Sequence, residues 1–205
     1  MFFKRSFSME HVMNKSLETE NKLILAHKIL SNYGAFELNL GHVSVRLPEP
    51  DRYLIIGHIH HLGKTFEDLE PGHLTIMDGM GNVVAGELKP PGERFIHTEI
   101  YKKRPEVQSV AHAHPHITVA FSVSGTDILP IGHRGTIFAP KVRILENPGQ
   151  IDNPKLGQEV VAAIGEAPAA VLAGHGAVCV GGSIEESVAV MIALEDTAKL
   201  QLCAN

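Results

Sequence analysis

The sequence has few cysteines, no long basic run and no long apolar run, and each absence excludes a class of protein. Cys179 and Cys203 are its two cysteines, and they form no CxxC pair, so we expect a reduced protein without a disulfide framework. No basic run reaches five residues and the formal net charge is −5, which argues against nucleic-acid binding. The apolar runs are short and interrupted, so we expect no transmembrane segment.

The first sixteen residues also lack a feature, namely the apolar stretch that a secretory signal needs. We therefore expect a cytoplasmic protein in which residues 1–15 form a loose N-terminal extension. The remaining composition is that of an ordinary globular protein, with 44% hydrophobic and 20% charged residues. The length of 205 residues predicts one domain, 1–205, with a substantial core. Histidine is the unusual residue, because it occurs 13 times.

Periodicity and capping signals predict an α/β domain with a central, mostly antiparallel sheet. Strand patterns cluster in the middle of the chain, and the first of them is expected to turn at Gly41-His42. The segment 118–125 is compatible with either a helix or a strand. The predicted helices span about 16–33, 93–104, 153–164 and 183–202, and the predicted strands or hairpins span 37–48, 52–61, 73–87, 107–114 and 169–182.

Two histidines stand at alternate positions of the apolar run "SVAHAH". On a strand, residues i and i+2 point to the same face, so His112 and His114 can approach one ion together. A histidine pair of this spacing is also compatible with two rings that form ordinary hydrogen bonds at a strand end. More distant residues must therefore decide between the two interpretations.

Two such residues are His175, between Gly174 and Gly176, and Glu93, after "PPG". The glycines leave room for a close approach at a sharp turn. Glu93 either stabilises its own helix as a first-turn carboxylate or serves as an anionic ligand that can also move protons. Three histidines and a carboxylate suit zinc, and also manganese or iron(II), provided that folding brings them together.

The segments "PPGERFIHTEIYKKRPEVQSVAHAHPHITVAFS" and "AGHGAVCVGGSIEESVAVMIALEDTAKLQL" resemble the class II aldolase/adducin superfamily. The resemblance covers about residues 16–201. It implies that His112, His114 and His175 bind a divalent metal ion and that Glu93 is a displaceable fourth ligand and acid/base. It also implies a three-layer α/β/α fold, a small-molecule substrate, and a homotetramer with active sites between subunits.

The chain departs from the phosphate-handling members of that superfamily at three loops. Those members carry G-N-x-S, T-P-[ST]-G and a serine pair before the glutamate, which together bind phosphate. Here the corresponding stretches are "GHVS" (41–44), "IIGH" (55–58) and "PG" (91–92), so most of the hydroxyls are missing. Gly41, Ser44 and His58 remain as candidate substrate-binding residues. A sugar phosphate is therefore a poor fit to the sequence.

The motifs "GHVSVR" and "ERFIH" are similar to a branch that includes metal-dependent decarboxylases of hydroxylated aromatic carboxylates. The sequence therefore favours decarboxylation of a non-phosphorylated acid. The alternatives are aldol cleavage of a small sugar or sugar phosphate, iron(II) oxygenation, or a non-catalytic adducin-like module. Glu93 and His42 are the candidate proton donors, and His133 is another.

The other histidines and two arginines carry weaker signals. His116 follows Pro115, so we expect it to be structural or supporting rather than a ligand. His97 lies one helical turn after Glu93 and either orients it or packs in an interface. Arg94, like Arg46, could bind a substrate carboxylate or form a salt bridge. His60 and His61 are expected in a solvated loop at the mouth of the site.

Overall fold

The computed structural model describes residues 3–36, 40–146 and 149–204, and side chains from Ser16 onward. Eight strands form one sheet in the order β4-β3-β2-β1-β5-β8-β7-β6. All neighbours are antiparallel except β6 and β7, which are parallel. The strands are β1 (His42–Arg46), β2 (Tyr53–Ile56), β3 (Leu74–Met77), β4 (Val83–Ala85), β5 (Ser109–Ala113), β6 (Arg143–Leu145), β7 (Ala169–Leu172) and β8 (Gly176–Gly181).

Helices cover both faces of this sheet and make a three-layer α/β/α domain. Helices α1 and α6 pack against β1, β5 and β8, and α3 packs on α6. Helices α2 and α5 pack together on the other face. The helices are α1 (Phe3–Tyr33), α2 (Arg94–Lys103), α3 (His116–Val123), α4 (Gly132–Gly135), α5 (Pro154–Ile164) and α6 (Ile184–Ala204).

The central strand β5 shows how the two faces differ. All five of its residues are buried, because helices lie above and below it. Ser109 points toward α6, where its Oγ bonds the Oγ of Ser187 at 2.8 Å. His112 points the other way, toward the start of α2. Alternation along one buried strand therefore delivers an imidazole to the α2 side.

Local signals account for where the last two long helices begin. Asn153 caps α5 by accepting a hydrogen bond from the Leu156 amide at 3.1 Å, and Pro154 occupies the first turn. Ser183 accepts from the Glu186 amide at 3.1 Å at the start of α6. The Glu186 carboxylate reaches back one residue further than a capping box requires, to the amide of Gly182 at 2.7 Å.

Most predicted elements are confirmed, two details differ, and one segment that the sequence left open is resolved. His42 belongs to strand β1 rather than to a turn, so the predicted turn at Gly41-His42 is wrong; residues 37–39 of that segment lie outside the described residues. Segment 118–125 is mostly helix α3. Helix α1 begins at Phe3, earlier than the predicted start near Ser16. That residues 1–15 form an extension apart from the domain stays a prediction.

No described helix has both the length and the apolar character needed to cross a membrane.

Candidate active site

Three separate segments of the chain bring four side chains together: the end of a strand, a turn between two strands and the start of a helix. His112 is the fourth residue of the buried strand β5, and His114 follows directly after that strand. His175 lies in the tight turn between β7 and β8. Glu93 is the N-cap residue of α2. The four residues that the sequence proposed as ligands therefore form one cluster, in which the candidate ligand atoms all lie within 4.8 Å of one another.

Unpaired polar atoms at the centre of the cluster suit a divalent cation. Nε2 of His112 and Nδ1 of His114 are buried and have no hydrogen-bond partner among the described residues. The Glu93 carboxylate lies 3.3 Å from Nε2 of His112 and 3.4 Å from Nε2 of His175. Buried nitrogen lone pairs without a partner are costly, and a bound cation would satisfy them. The donor set of three imidazoles and a carboxylate fits a divalent ion.

Backbone carbonyls hold two of the imidazole rings in the orientation that a ligand needs. Nδ1 of His112 donates to the carbonyl of Ala177 at 3.1 Å, and Nδ1 of His175 donates to that of Gly149 at 3.0 Å. These bonds place the hydrogen on Nδ1 and leave the Nε2 lone pairs directed at the cluster. Metal-binding histidines are commonly oriented by such outer hydrogen bonds.

Glu93 is not oriented by the helix that it begins. Its side chain makes no capping hydrogen bond to α2. Instead Oε1 accepts from the amide of Ile151 at 2.9 Å, while the carboxylate faces His112 and His175. Burial opposes ionisation of this carboxylate, but the two histidines outweigh it and hold the pKa of Glu93 well below its usual value. First-turn stabilisation alone therefore does not explain this residue.

One histidine of the cluster, His114, is kept in the neutral form that can bind a metal. Burial, reinforced by the rings of His112 and His175, lowers the pKa of His114 to about 4. A ligand imidazole must be neutral, and this one is neutral near pH 7.

Glycine is required on one side of His175 because of close packing. A Cβ atom at Gly176 would lie 2.5 Å from the carbonyl oxygen of Ala113 and 2.9 Å from the ring of His114. Gly174 has a φ of +67°, in the left-handed region that favours glycine. The expectation that these glycines permit a close approach is confirmed.

The cluster lies at the floor of a cavity of about 680 Å³. His42, Glu93, His114 and His175 contribute to its lining. Among the described residues of this chain, no serine, threonine, lysine or arginine lines the cavity. The remaining lining residues are mostly apolar or small, with two histidines and one amide: Leu40, Gly41, Ile56, Gly57, His58, Ile59, His60, Phe66, Pro91, Gly92, Gly149, Gln150, Ala173 and Gly174.

Some of the predicted substrate-binding residues line the cavity, and others lie outside it. Gly41 and His58 line it. Ser44 is fully buried behind His42, where its Oγ bonds His97 and the hydroxyl of Tyr101. Ser44 therefore does not line the cavity of this chain, and a role for it in substrate binding stays a prediction.

Two other candidates lie outside the cavity of the single chain. The Arg94 guanidinium packs on the Phe95 ring at 4.4 Å and bonds the carbonyls of Pro91 and Gly92, so it holds a loop instead of facing the cavity. His133 is exposed on α4, and a place in the active site would require a neighbouring subunit.

The remaining histidines with a predicted role lie outside the ligand cluster. His116 begins α3, outside the cluster, as expected. His97 does not orient Glu93; its two nitrogens bond His42 at 2.6 Å and Ser44 at 2.7 Å. His60 lines the cavity, whereas His61 is exposed beside it. Sequence reasoning missed Phe66 and Gln150, because neither carries a motif.

Comparisons with known proteins agree with this geometry. Residues 21–202 match the family model described as Class II Aldolase and Adducin N-terminal domain. A 3,4-dihydroxyphthalate decarboxylase of Terrabacter sp. (strain DBF63) is 32% identical over 199 residues, covering 93% of this chain and 83% of that protein. An L-fuculose phosphate aldolase of Methanocaldococcus jannaschii is 30% identical over 162 residues, covering 79% and 83%. The crystal structure of an aldolase II superfamily protein from Pseudomonas syringae superposes with a TM-score of 0.82 at 26% identity, covering 92% and 76%.

This chain belongs to the class II aldolase and adducin N-terminal domain family. Its similarity to decarboxylases and an aldolase indicates an enzyme of the lyase class. The Glu93–His112–His114–His175 cluster could hold the divalent metal ion on which class II aldolases depend.

Proposed function

We propose that this chain is a metal-dependent carbon–carbon lyase that decarboxylates a hydroxylated aromatic or other non-phosphorylated carboxylate. The observation that carries the proposal is a ligand cluster beneath a cavity whose lining, in the part of the chain that the structure describes, has no hydroxyl or cationic side chain. A phosphate dianion needs several donors, as hydroxyls, amides or cations. Ile56, Ile59 and Phe66 instead offer an apolar wall that suits a flat ring.

Glu93, His112, His114 and His175 would hold the metal ion. We propose zinc as the bound ion because three imidazoles and one carboxylate are typical zinc ligands, with manganese or iron(II) as alternatives. When bound, a divalent ion acts as a Lewis acid toward a hydroxyl and a neighbouring carboxylate of the substrate and stabilises negative charge as the carbon–carbon bond breaks.

The residues of the chain then have two tasks. His58 stands at the cavity wall, where an imidazole can donate a hydrogen bond to a substrate carboxylate, and the Gly41 backbone borders the same space. When carbon dioxide leaves, the electron pair of the broken bond stays on the substrate carbon, which must receive one proton. His42 is our first candidate for that donor, with Glu93 and His133 as alternatives.

The similarity to a 3,4-dihydroxyphthalate decarboxylase supports this substrate class. A second candidate is aldol cleavage of a small sugar or sugar phosphate, which the similarity to a fuculose phosphate aldolase favours. We further propose that the protein acts in the cytoplasm as a homotetramer, and that its active sites lie between subunits.

Product analysis separates the two reactions. Purified protein is loaded with zinc, manganese or iron(II) and incubated with 3,4-dihydroxyphthalate, with other hydroxylated aromatic acids, and with fuculose 1-phosphate. We expect carbon dioxide from at least one aromatic acid and no aldehyde from the sugar phosphate. Aldehyde release without carbon dioxide would overturn decarboxylation, and oxygen uptake specific to iron would indicate oxygenation instead.

A further inference from the structure

Four buried side chains form a continuous hydrogen-bonded row behind the cavity wall. Nδ1 of His42 lies 2.6 Å from Nε2 of His97, and Nδ1 of His97 lies 2.7 Å from Oγ of Ser44. Oγ of Ser44 lies 2.8 Å from the hydroxyl of Tyr101. His97 and Ser44 are fully buried, Tyr101 is 2% exposed, and His42 reaches the cavity at the other end. We call these residues the His42–Tyr101 row.

The hydrogen atoms of this row can be counted when both histidines are neutral. His97 is fully buried and His42 is 5% exposed, and among the described residues neither ring bonds a carboxylate, so a charged ring would be buried without a counter-charge and both rings are counted as neutral. Each of the four groups then brings one hydrogen. Three links use three hydrogens, and the fourth must point outward from one end of the row.

The environment of Tyr101 decides which end that is. Among the described residues, Ser44 is the partner that can accept the hydrogen of its hydroxyl, because the Val110 amide, which also bonds this oxygen, is a donor. An O–H turned away from Ser44 would be a buried donor without an acceptor, which is strongly disfavoured. Tyr101 therefore donates to Ser44, Ser44 donates to Nδ1 of His97, and Nε2–H of His97 donates to Nδ1 of His42. The outward hydrogen then sits on Nε2 of His42.

We infer that His97, Ser44 and Tyr101 are positioning residues that hold His42 as its Nε2–H tautomer, with the hydrogen directed toward the cavity. The inference rests on the proposed function only in giving His42 the role of proton donor. In that role His42 transfers its Nε2 proton to the substrate carbon that carries the electron pair after carbon dioxide leaves, and the ring becomes an imidazolate whose negative charge the Nε2–H of His97 stabilises at Nδ1. Solvent then returns a proton to His42.

The row orients His42 and does not relay protons away from it. A relay would have to leave a tyrosinate at the far end. Burial raises the pKa of Tyr101 well above its usual value, which opposes that ion. Tyr101 instead supplies a permanent donor, since its ring is held against the ring of Tyr53, with centroids 4.5 Å apart.

The tautomer can be measured without any substrate. Long-range ¹H–¹⁵N NMR on ¹⁵N-histidine-labelled, zinc-loaded protein distinguishes Nε2–H from Nδ1–H rings. The signals are assigned by their loss in the His42→Gln and His97→Gln variants. We expect both His42 and His97 to be Nε2–H. An Nδ1–H tautomer at His42 would overturn the inference.

Kinetics test the consequence with a matched pair of buried serines. Ser44→Ala breaks the row, whereas Ser109→Ala removes an equally buried hydroxyl that bonds the Ser44 carbonyl and Ser187 toward α6. We expect Ser44→Ala to lower kcat about 10–100-fold with little change in KM, and Ser109→Ala to keep the wild-type kcat. Unchanged kcat in Ser44→Ala, or equal loss in both variants, would overturn the positioning role.

The two proposals fail in different ways. A wild-type protein with the expected tautomers that releases no carbon dioxide from any probe acid would reject decarboxylation and leave the orientation of His42 established. Carbon dioxide release from a protein with Nδ1–H at His42 would support decarboxylation and reject the proposed orientation of His42.

Discussion

His27 is a fully buried histidine that is satisfied only when neutral. Its Nδ1 donates to the Leu23 carbonyl at 2.7 Å, and its Nε2 accepts from the Val43 amide at 3.1 Å. A second proton would have to break the bond from Val43. Burial accordingly lowers the pKa of His27 from 6.5 to about 4.

This gives a prediction for the pH dependence of stability. Because the unfolded chain binds the proton at higher pH than the folded one, the contribution of His27 is complete above pH 6.5 and declines as pH falls toward 4. Between pH 7.5 and pH 5 the loss from this one residue is about 2 kcal/mol. Urea denaturation of the metal-free proteins measures this loss. Between pH 7.5 and pH 5, the free energy of unfolding should fall about 2 kcal/mol less in His27→Gln than in the wild type.

The matched control is His61→Gln, which replaces an exposed histidine. It should follow the wild-type pH dependence. If His27→Gln and the wild type lost equal stability on acidification, the neutral, buried state assigned to His27 would be wrong.

At the scale of single residues, the sequence predicts the candidate metal ligands better than it predicts the residues that form hydrogen bonds around the site. The alternation of His112 and His114 follows directly from strand geometry, and Glu93 and His175 follow from the family resemblance. The hydrogen bonds that join His97 to His42 and Ser44 were not predicted, because bonds between separate elements leave no periodic signal. Phe66 reaches the cavity from a short 3-10 helix that has no motif.

At the scale of elements, the contact between α2 and α5 positions Glu93. Gly157 of α5 lies directly against α2, because a Cβ there would be 2.5 Å from the Phe95 carbonyl oxygen and 2.8 Å from Cγ of Glu99. The first of these atoms belongs to the backbone, so it cannot move aside cheaply. Glu93 sits at the beginning of the same helix.

We therefore expect Gly157→Ala to cost about 1–3 kcal/mol of stability, because the added methyl group pushes the two helices apart. Urea denaturation measures the loss. Gly72→Ala is the control, since a Cβ at Gly72 would have no heavy atom within 4 Å. A Gly157→Ala variant as stable as Gly72→Ala would show that α2 and α5 are not tightly packed.

Elements with strong local signals were predicted well, whereas the edge strand β6 was not predicted. Helix α5 has both an N-cap and a first-turn proline, and hairpin β7–β8 has glycines at its turn. Strand β6 has three residues and pairs in parallel with β7 at the sheet edge. So short a segment has no periodicity to detect, and its partner lies more than twenty residues further along the chain.

At the scale of the whole molecule, His133 tests the proposed assembly. It is exposed and lies away from the cavity of its own chain. If it completes the active site of a neighbouring subunit, His133→Asn and His112→Asn should each inactivate the homogeneous protein. Mixed tetramers of the two variants should recover about a quarter of wild-type activity, because one interface in four joins two intact halves.

The measurement is a decarboxylation assay on co-expressed and singly expressed chains, with the assembly mass determined by sedimentation equilibrium. We expect four times the chain mass of 22.2 kDa. Full activity of His133→Asn by itself, or a mixture no more active than its components, would place the whole active site within one chain.

The central claim is that Glu93, His112, His114 and His175 hold one divalent ion, and calorimetric titration of zinc into metal-free protein tests it most directly. The variants are His114→Asn and, as a control two residues away, His116→Asn, which lies outside the cluster. We predict one zinc ion per chain, at least ~100-fold weaker binding in His114→Asn, and wild-type affinity in His116→Asn. Failure of the wild type to bind zinc, manganese or iron(II), or equal zinc affinity in wild type and His114→Asn, would contradict the account.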